Sequence, residues 1–112
     1  MSDTKNSLES FVVGQFIDKE IDFHARRTRG SGCGNELGDV SNKYCFVECK
    51  MHHTKENVIV QFKSEWQHLL FRVPDNSPKI PIMVIENMYG NKFVTLKAED
   101  FFDLLQEAKN AS

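Results

Sequence analysis

The centre of the chain reads GDVSNKYCFVECK at residues 38–50. Residues 38–40 predict the start of a strand, and the polar pair Asn42-Lys43 predicts a tight turn. The residues after the turn are mostly apolar or cysteine, and they predict a second strand over residues 44–50. A strand, a turn and a longer strand form the beginning of a sheet, which the rest of the chain must extend and cover.

The longer strand has two chemically different faces, because side chains alternate across a strand. Glu48 and Lys50 fall on one face, so opposite charges emerge side by side where an otherwise apolar strand ends. Cys45, Val47 and Cys49 fall on the other face, and these residue types favour burial. The sequence therefore predicts a buried face of thiols and a charged patch on the opposite face.

The segments outside this centre predict three helices and further strands. Apolar residues recur at helical spacing in each helix, and turns rich in proline or glycine separate the elements. The predicted elements are, in order, a helix at 7–19, a strand at 21–26, a glycine-rich loop at 30–35, the two central strands, a helix at 57–72, a hairpin of strands at 81–86 and 92–96, and a helix at 98–109. The order αβββαββα describes an α/β fold with one sheet covered by helices.

Length and composition favour a single domain over residues 1–112. Hydrophobic residues make up 40% and charged residues 27% of the 112, as in ordinary soluble domains. The longest strongly apolar run, residues 80–85, is too short to cross a bilayer. The polar first six residues do not predict a secretory signal. We therefore expect a cytoplasmic, reducing environment and no membrane partner.

Three cysteines, Cys33, Cys45 and Cys49, are predicted to be free thiols. Their odd number in a domain of this size argues against a disulfide framework. A zinc site built from Cys45, Cys49, His52 and His53 is the alternative, but the spacing does not match structural zinc sites. Buried thiols and a solvated histidine pair are the preferred interpretation.

The charge of the chain is nearly balanced, but its arginines are concentrated. Basic residues number 14 and acidic residues 16, giving a formal charge of −2 at pH 7, so bulk charge gives no argument for binding nucleic acid. Arg26, Arg27 and Arg29 lie together just before the glycine-rich loop. Because glycine has no side chain in the way, such a loop can approach a phosphate backbone closely.

Asp39, Glu48 and Lys50 form the pattern that carries chemistry. Carboxylates at the ends of neighbouring strands can converge on one hard cation, and Mg²⁺ takes one or two protein carboxylates while it keeps water molecules and substrate phosphate oxygens. Lys50 shares a face with Glu48, where it can orient an attacking water and offset charge on a phosphate. The pattern therefore predicts phosphodiester chemistry at a divalent cation.

Gly38-Asp39 and the ECK triplet at residues 48–50, preceded by a helix and by RRTRGSG at residues 26–32, resemble the PD-(D/E)XK nuclease superfamily. Within it the chain is most similar to the small Holliday-junction-resolvase branch of archaea and phages. The resemblance covers roughly residues 8–86, with Gly38 in place of the family's proline. It implies an α/β fold of the restriction-endonuclease-like type, in which helices flank a mixed central sheet.

The resemblance also implies a role for each residue of the pattern. Asp39 and Glu48 would bind Mg²⁺ or Mn²⁺, and the backbone carbonyl of Cys49 would complete the protein ligands. Lys50 would be the catalytic lysine. These roles describe a hydrolase whose metal site lies at the ends of two neighbouring strands.

Family members usually add a catalytic glutamate from the first helix. Glu9 occupies this place near the start of the helix, where an acid would otherwise stabilise the first turn through the helix dipole. Glu20 is the alternative if the first helix continues beyond residue 19.

The resemblance implies that Arg26, Arg27, Arg29 and Ser31 contact the DNA backbone near the scissile phosphate. It also implies a homodimer that cuts two strands of a four-way junction symmetrically. The expected function is a Mg²⁺-dependent endodeoxyribonuclease, most closely a Holliday junction resolvase. A repair or restriction-like nuclease with another DNA target and a non-catalytic DNA-binding module are the alternatives.

The last predicted helix carries a broad apolar stripe, made of Phe101, Phe102, Leu104, Leu105 and Ala108. We expect Phe101 and Phe102 to lie in the core. The alternative is that the stripe covers a dimer interface.

Overall fold

A computed structural model of the protein describes residues 4–28, 38–51 and 62–111. Within these ranges the elements are α1 (Thr4–Asp18), β1 (Arg26–Arg27), β2 (Val40–Ser41), β3 (Cys45–Met51), a π-helical turn (Phe62–Trp66) that leads into α2 (Gln67–Arg72), β4 (Ile80–Glu86), β5 (Lys92–Thr95) and α3 (Ala98–Ala111). This order confirms the predicted α/β class. None of the described helices is long and apolar enough to span a bilayer.

β3, β4 and β5 form a three-stranded sheet with β4 in the middle. β3 pairs in parallel with β4, from Cys45 opposite Ile80 to Met51 opposite Glu86, and β4 pairs antiparallel with β5. β1 and β2 form a short antiparallel pair. The backbone N–H of Asp39, just before β2, donates to the carbonyl of Val47 at 2.7 Å, so the short pair is joined to β3.

The strands are covered on both faces, and the two faces of β3 are the predicted ones. The face toward α1 forms a buried cluster of Leu8, Val12, Phe16, Ala25, Val40, Val47, Cys49, Ile82 and Val84. The opposite face forms a second cluster of Phe46, Leu69, Met83 and Ile85, against which Trp66 and Val73 pack. The sheet therefore lies between α1 and α2.

The predicted turn after β2 is confirmed, and the side chain of Asn42 organises it. Its Oδ1 accepts the backbone N–H groups of Tyr44 at 2.8 Å and Cys45 at 2.7 Å. Its Nδ2 donates to the carbonyls of Val40 at 3.1 Å and Cys45 at 3.0 Å. An asparagine that bonds the backbone on both sides of a turn fixes the register of the strands that leave it.

The predicted strand at residues 21–26 is wrong, since only Arg26–Arg27 pair as a strand. α1 ends in a Schellman-type turn in which Glu20 has φ 59°, and the N–H of Ile21 donates to the carbonyl of Phe16 at 2.8 Å. Asp22 then turns the chain, because its carboxylate accepts the backbone N–H of His24 at 2.9 Å. These capping contacts overrode the alternating apolar pattern.

α3 lies outside both buried clusters, and none of its residues is buried. The expectation that Phe101 and Phe102 lie in the core is therefore wrong: they are 44% and 62% exposed. Leu104 and Leu105 are 43% and 48% exposed.

Several predictions fall partly or wholly on residues outside the described ranges. These are the glycine-rich loop at 30–35, the first part of the helix predicted at 57–72, and Arg29, Ser31, Cys33, His52 and His53. The described part of that helix ends at Arg72, where the prediction placed its end.

Candidate active site

Asp39 is held against β3 by two hydrogen bonds. Its backbone N–H donates to the carbonyl of Val47, and its Oδ2 accepts the backbone N–H of Cys49 at 2.9 Å. The main-chain bond of Asp39 is to Val47, and its side-chain bond is to Cys49, two residues further along β3. The carboxylate thus lies beside the backbone of the ECK triplet. The first acid of the pattern and the triplet are neighbours in space, as the sequence predicted.

Gly38 allows this close approach. Its φ is 72°, a left-handed conformation, and a Cβ at this position would lie 2.7 Å from the carbonyl oxygen of Val47. A side chain would therefore collide with the backbone of β3, and residues other than glycine rarely adopt this φ. Thr28 fixes the same peptide, because its hydroxyl donates to the carbonyl of Gly38 at 2.7 Å.

Gly38→Ala should lower the free energy of unfolding by about 2–3 kcal/mol, because it adds left-handed strain and a backbone collision. Urea denaturation measures this loss. Gly14→Ala is the matched control, since a Cβ at Gly14 has no heavy atom nearer than 3.9 Å. Equal stabilities of the Gly38 variant and the wild-type protein would contradict the close approach.

Glu48 is a buried carboxylate with two cationic neighbours. Only 5% of the residue is exposed. Its Oε1 accepts a hydrogen bond from Nη1 of Arg72 at 2.7 Å, and its Oε2 lies 3.4 Å from Nζ of Lys50. A carboxylate buried this deeply is stable as an ion only when such partners and hydrogen bonds offset its lost hydration.

These groups surround a small cavity between β3 and α2. The cavity has a volume of about 90 Å³ and is lined by Glu48, Lys50, Glu65, His68, Leu69 and Arg72. It is polar and large enough to hold ordered water. The charged face of β3 therefore opens onto a small polar cavity, whose lining includes the exposed His68 and the partly exposed Lys50.

Arg72 was not among the site residues predicted from the sequence. A signal was present, because Arg72 lies three residues after Leu69 and shares its side of the helix. Leu69 packs in the cluster with Phe46, and the guanidinium of Arg72 lies 6.0 Å from the centre of the Phe46 ring. A cation on that side therefore meets the Glu48 face of β3.

The Glu48 side chain is directed away from α1, because it lies between Val47 and Cys49, which both belong to the α1 cluster. The Asp39 carboxylate lies at the edge of β3, where its Oδ2 accepts the backbone N–H of Cys49. The two carboxylates thus belong to neighbouring positions along β3, Glu48 by its own place in the strand and Asp39 by its bond to the next residue.

The donor set suits a hard cation that keeps much of its water. Among the described residues, no three His, Cys, Asp or Glu side chains lie close enough together to hold a metal. The candidate ligands that the family resemblance implies are Asp39, Glu48 and the backbone carbonyl of Cys49, and a hydrogen bond from the Cys49 N–H to Asp39 Oδ2 joins the first to the residue of the third. Mg²⁺ commonly uses one or two carboxylates and fills its remaining positions with water and substrate oxygens, so these residues fit Mg²⁺ better than zinc.

Glu9 and Arg27 meet on the other side of the sheet. Arg27 pairs with Val40 in the β1–β2 register, which places it on the α1 face. Its Nε donates to Oε1 of Glu9 at 3.4 Å, and Glu9 is 7% exposed. Glu20, the alternative acid, lies outside α1 in the exposed turn that ends the helix.

Arg26 is directed away from α1. It pairs with Ser41, so it is directed opposite to its neighbour Arg27. Both arginines are exposed. The described part of the predicted DNA-contacting segment thus has one arginine on each face.

Cys45, one of the two cysteines in the described ranges, is a free thiol, as predicted. Cys49 is fully buried in the cluster toward α1. Burial raises the pKa of the Cys45 thiol to about 11, against an opposing effect of the Lys79 ammonium. Neither thiol is on the Glu48 face, so the cysteines are core residues.

Alkylation of Cys45 by iodoacetamide at pH 8 should be about a hundredfold slower in the folded protein than in urea, because a pKa raised from 9.0 to about 11 removes most of the thiolate. Peptide mass spectrometry resolves Cys45 from the other cysteines. The raised pKa also means that Cys45 stabilises the fold below pH 9 and that this contribution is lost as the pH rises toward 11. Cys45→Ala should abolish that pH-dependent part; equal alkylation rates would contradict the burial.

Comparison of the chain with family models, with curated proteins and with solved structures gives no match. The site is thus defined by its own geometry. It consists of the Asp39 carboxylate at the edge of β3, the buried Glu48 carboxylate, a lysine beside Glu48, and an arginine from the covering helix.

Proposed function

We propose that this protein is a metal-dependent DNA endonuclease of the restriction-endonuclease-like fold. The observation that carries the proposal is the hydrogen bond from the Cys49 N–H to the Asp39 carboxylate at 2.9 Å. It brings the two halves of the sequence pattern together, although eight residues separate Asp39 from Glu48. Gly38 permits this contact, because a side chain at that position would collide with the backbone of β3.

The residues of the site then have separate roles. Asp39 and Glu48, with the Cys49 carbonyl, would hold Mg²⁺ or Mn²⁺, which when bound supplies Lewis-acid activation and charge neutralisation at the phosphate. Lys50 orients the attacking water and donates hydrogen bonds to a phosphate oxygen. Arg72 fixes the direction of the Glu48 carboxylate from the side of α2.

Glu9 has a smaller role in the proposed site than the family resemblance implies. That resemblance implies a catalytic role, but Glu9 and its partner Arg27 lie on the α1 side of the sheet, whereas Glu48 is directed to the opposite side. We therefore propose that Glu9 positions Arg27 and takes no part in the reaction at Glu48.

The proposed substrate is branched DNA, most closely a four-way junction cut by a homodimer. The test is incubation of the protein with labelled junction, matched duplex and single strand, in Mg²⁺ and in EDTA. Symmetric nicks on the junction that require Mg²⁺ are the expected result. Cleavage of plain duplex would instead indicate a repair or restriction-like nuclease, and cleavage of none of the three DNAs would contradict the proposal.

A non-catalytic DNA-binding module is the second candidate, and one observation favours it. Arg72 and Lys50 already neutralise the Glu48 carboxylate, as in a purely structural ion cluster. The two candidates differ in their response to Mg²⁺. A nuclease should gain thermal stability with added Mg²⁺, since a ligand that binds only the folded state stabilises it, whereas a structural cluster should not respond.

Arg26→Ala should weaken DNA binding at all sequences and lower the slope of log affinity against log salt by about 0.9, the value for one lost phosphate contact. Arg27→Ala is the matched control. It should change the slope less, because the Arg27 guanidinium is bonded to Glu9. Fluorescence anisotropy over a salt series measures both slopes, and an unchanged slope for Arg26→Ala would remove this residue from the DNA contact.

A further inference from the structure

A second cavity lies at the turn between β2 and β3 and shares no lining residue with the cavity beside Glu48. It has a volume of about 420 Å³, within the range of roughly 300–1,000 Å³ that is typical of ligand pockets. This cavity is referred to as the lysine cavity, and it is lined by Asp22, His24, Ser41, Asn42, Lys43 and Lys79.

The strand register brings the two lysines of this cavity together, although they are distant in sequence. Lys43 lies in the turn before β3, and Lys79 immediately precedes β4. The parallel pairing starts with Cys45 opposite Ile80, and the Ile80 N–H donates to the carbonyl of Tyr44 at 2.9 Å. Both lysines are therefore held at the same end of the β3–β4 pair.

Neither lysine of the cavity forms an ion pair with a residue in the described ranges. The Lys43 ammonium instead lies 5.9 Å from the centre of the Tyr44 ring. By contrast, Lys50 and Lys92 both have carboxylate partners. The two positive charges of the cavity can therefore interact with an anion that binds there.

Asp22 is the one carboxylate among the described lining residues, and backbone groups occupy both of its oxygens. Its Oδ1 accepts the N–H of His24 and its Oδ2 accepts the N–H of Lys43, each at 2.9 Å. Asp22 is only 6% exposed, so it fixes the turn and presents little surface to the cavity. Two lysines against one carboxylate leave the lining with a net positive charge, which suits an anionic ligand.

The lysine cavity borders Arg26, the arginine for which a DNA phosphate contact is proposed. Arg26 pairs with Ser41 in the β1–β2 register, and Ser41 lines the cavity. Residues directly opposite each other in an antiparallel pair have Cβ atoms about 4.5–5.5 Å apart. The Arg26 side chain therefore leaves the strand pair beside the wall of the cavity, and it adds a third positive charge at this end of the strands.

We infer that the lysine cavity binds a backbone phosphate of DNA, beside the phosphate that Arg26 contacts, through the ammonium groups of Lys43 and Lys79. Lysine binds phosphate oxygens as a point charge, and a DNA strand carries such charges at regular intervals. The contact positions the DNA and reads no sequence. The inference rests on the DNA binding of the proposed function, but it does not depend on cleavage.

Fluorescence anisotropy of the full chain with labelled junction over a salt series, without Mg²⁺, tests the inference. The double variant Lys43→Gln/Lys79→Gln should lower the slope of log affinity against log salt by about 0.9, the value for one lost phosphate contact. Lys19→Gln/Lys97→Gln is the matched control, since it removes the same charge from two exposed lysines that do not line the cavity. The control should keep the wild-type slope.

Inorganic phosphate alone, titrated at constant ionic strength without DNA, gives a second readout. The NMR signals of the Ser41 and Lys43 amides should shift in a saturable way in the wild-type protein and not in Lys43→Gln/Lys79→Gln. Phosphate binding there with an unchanged DNA slope would assign the cavity to a small phosphorylated compound and overturn the DNA contact. Absence of these amide shifts would overturn phosphate binding at the cavity.

The outcomes separate this inference from the proposed nuclease. An unchanged slope for the cavity variant, or an equal decrease for the control, overturns the inference even if the protein cleaves junctions. The expected slopes in a protein that cleaves no DNA support the inference and contradict the nuclease. A wild-type protein that binds no DNA contradicts both.

Discussion

Asp39→Asn should lower the rate of Mg²⁺-dependent junction cleavage by about a thousandfold. Asparagine has nearly the same shape, and its amide oxygen can still accept the hydrogen bond from Cys49, so the hairpin should persist. The negative charge that would hold the cation is lost. Single-turnover cleavage at saturating protein measures the effect on the chemical step directly.

Two controls separate this effect from loss of fold or of DNA binding. Asp75→Asn removes an acid from an exposed turn after α2 and should leave the rate unchanged. Anisotropy with the same junction should show that Asp39→Asn binds DNA at least as tightly as the wild-type protein, since a negative charge near the phosphates is gone. A variant that cleaves at the wild-type rate would exclude Asp39 from the reaction.

Arg72→Met should lower the free energy of unfolding by about 2–3 kcal/mol. Methionine fills much of the same apolar space against Phe46, so the loss comes mainly from electrostatics. Glu48 would remain buried with Lys50 at 3.4 Å as its cationic neighbour, and Lys50 is itself 37% exposed in its side chain. Urea denaturation at neutral pH measures the change.

The double variant Glu48→Gln/Arg72→Met is the decisive comparison. Removing both charges leaves no buried ion, so this variant should be more stable than Arg72→Met alone, and the two substitutions should be strongly non-additive. If the stability change of the double variant equals the sum of the changes for the two single substitutions, Glu48 and Arg72 do not form a coupled ion pair. Mg²⁺ should restore part of the stability of Arg72→Met but not of the double variant, because only the first retains the Glu48 carboxylate.

The order of the elements and the two faces of β3 could be predicted because they depend on short-range patterns. Alternation over residues 45–50 assigns each side chain to a face, and the polar pair Asn42-Lys43 marks a turn irrespective of the rest of the chain. The adjacency of Asp39 and the ECK triplet follows from that hairpin. These features required no knowledge of distant contacts.

The features that were missed depend on contacts between distant segments or on local capping. Arg72 meets Glu48 only when α2 packs against the sheet; its spacing from Leu69 indicates the side of the helix that it occupies but not which strand residue it meets. The strand predicted at residues 21–26 was too long, because the backbone hydrogen bonds that the Asp22 side chain accepts compete with strand formation despite the alternating pattern. The exposure of the apolar side of α3 could not be predicted. An amphipathic helix has the same sequence pattern whether its apolar side faces the core or lies on the surface of the chain.

The parallel pairing of β3 with β4 has a consequence for the order in which the protein folds. The hairpin that contains Asp39 closes a short loop, whereas pairing of Cys45 with Ile80 requires closure of a much longer one. Loop closure costs more entropy as the loop lengthens, and non-local pairing is slow. We therefore expect the Asp39 hairpin to gain protection from hydrogen exchange early during refolding, and the cavity beside Glu48 to close only in the final, rate-limiting step.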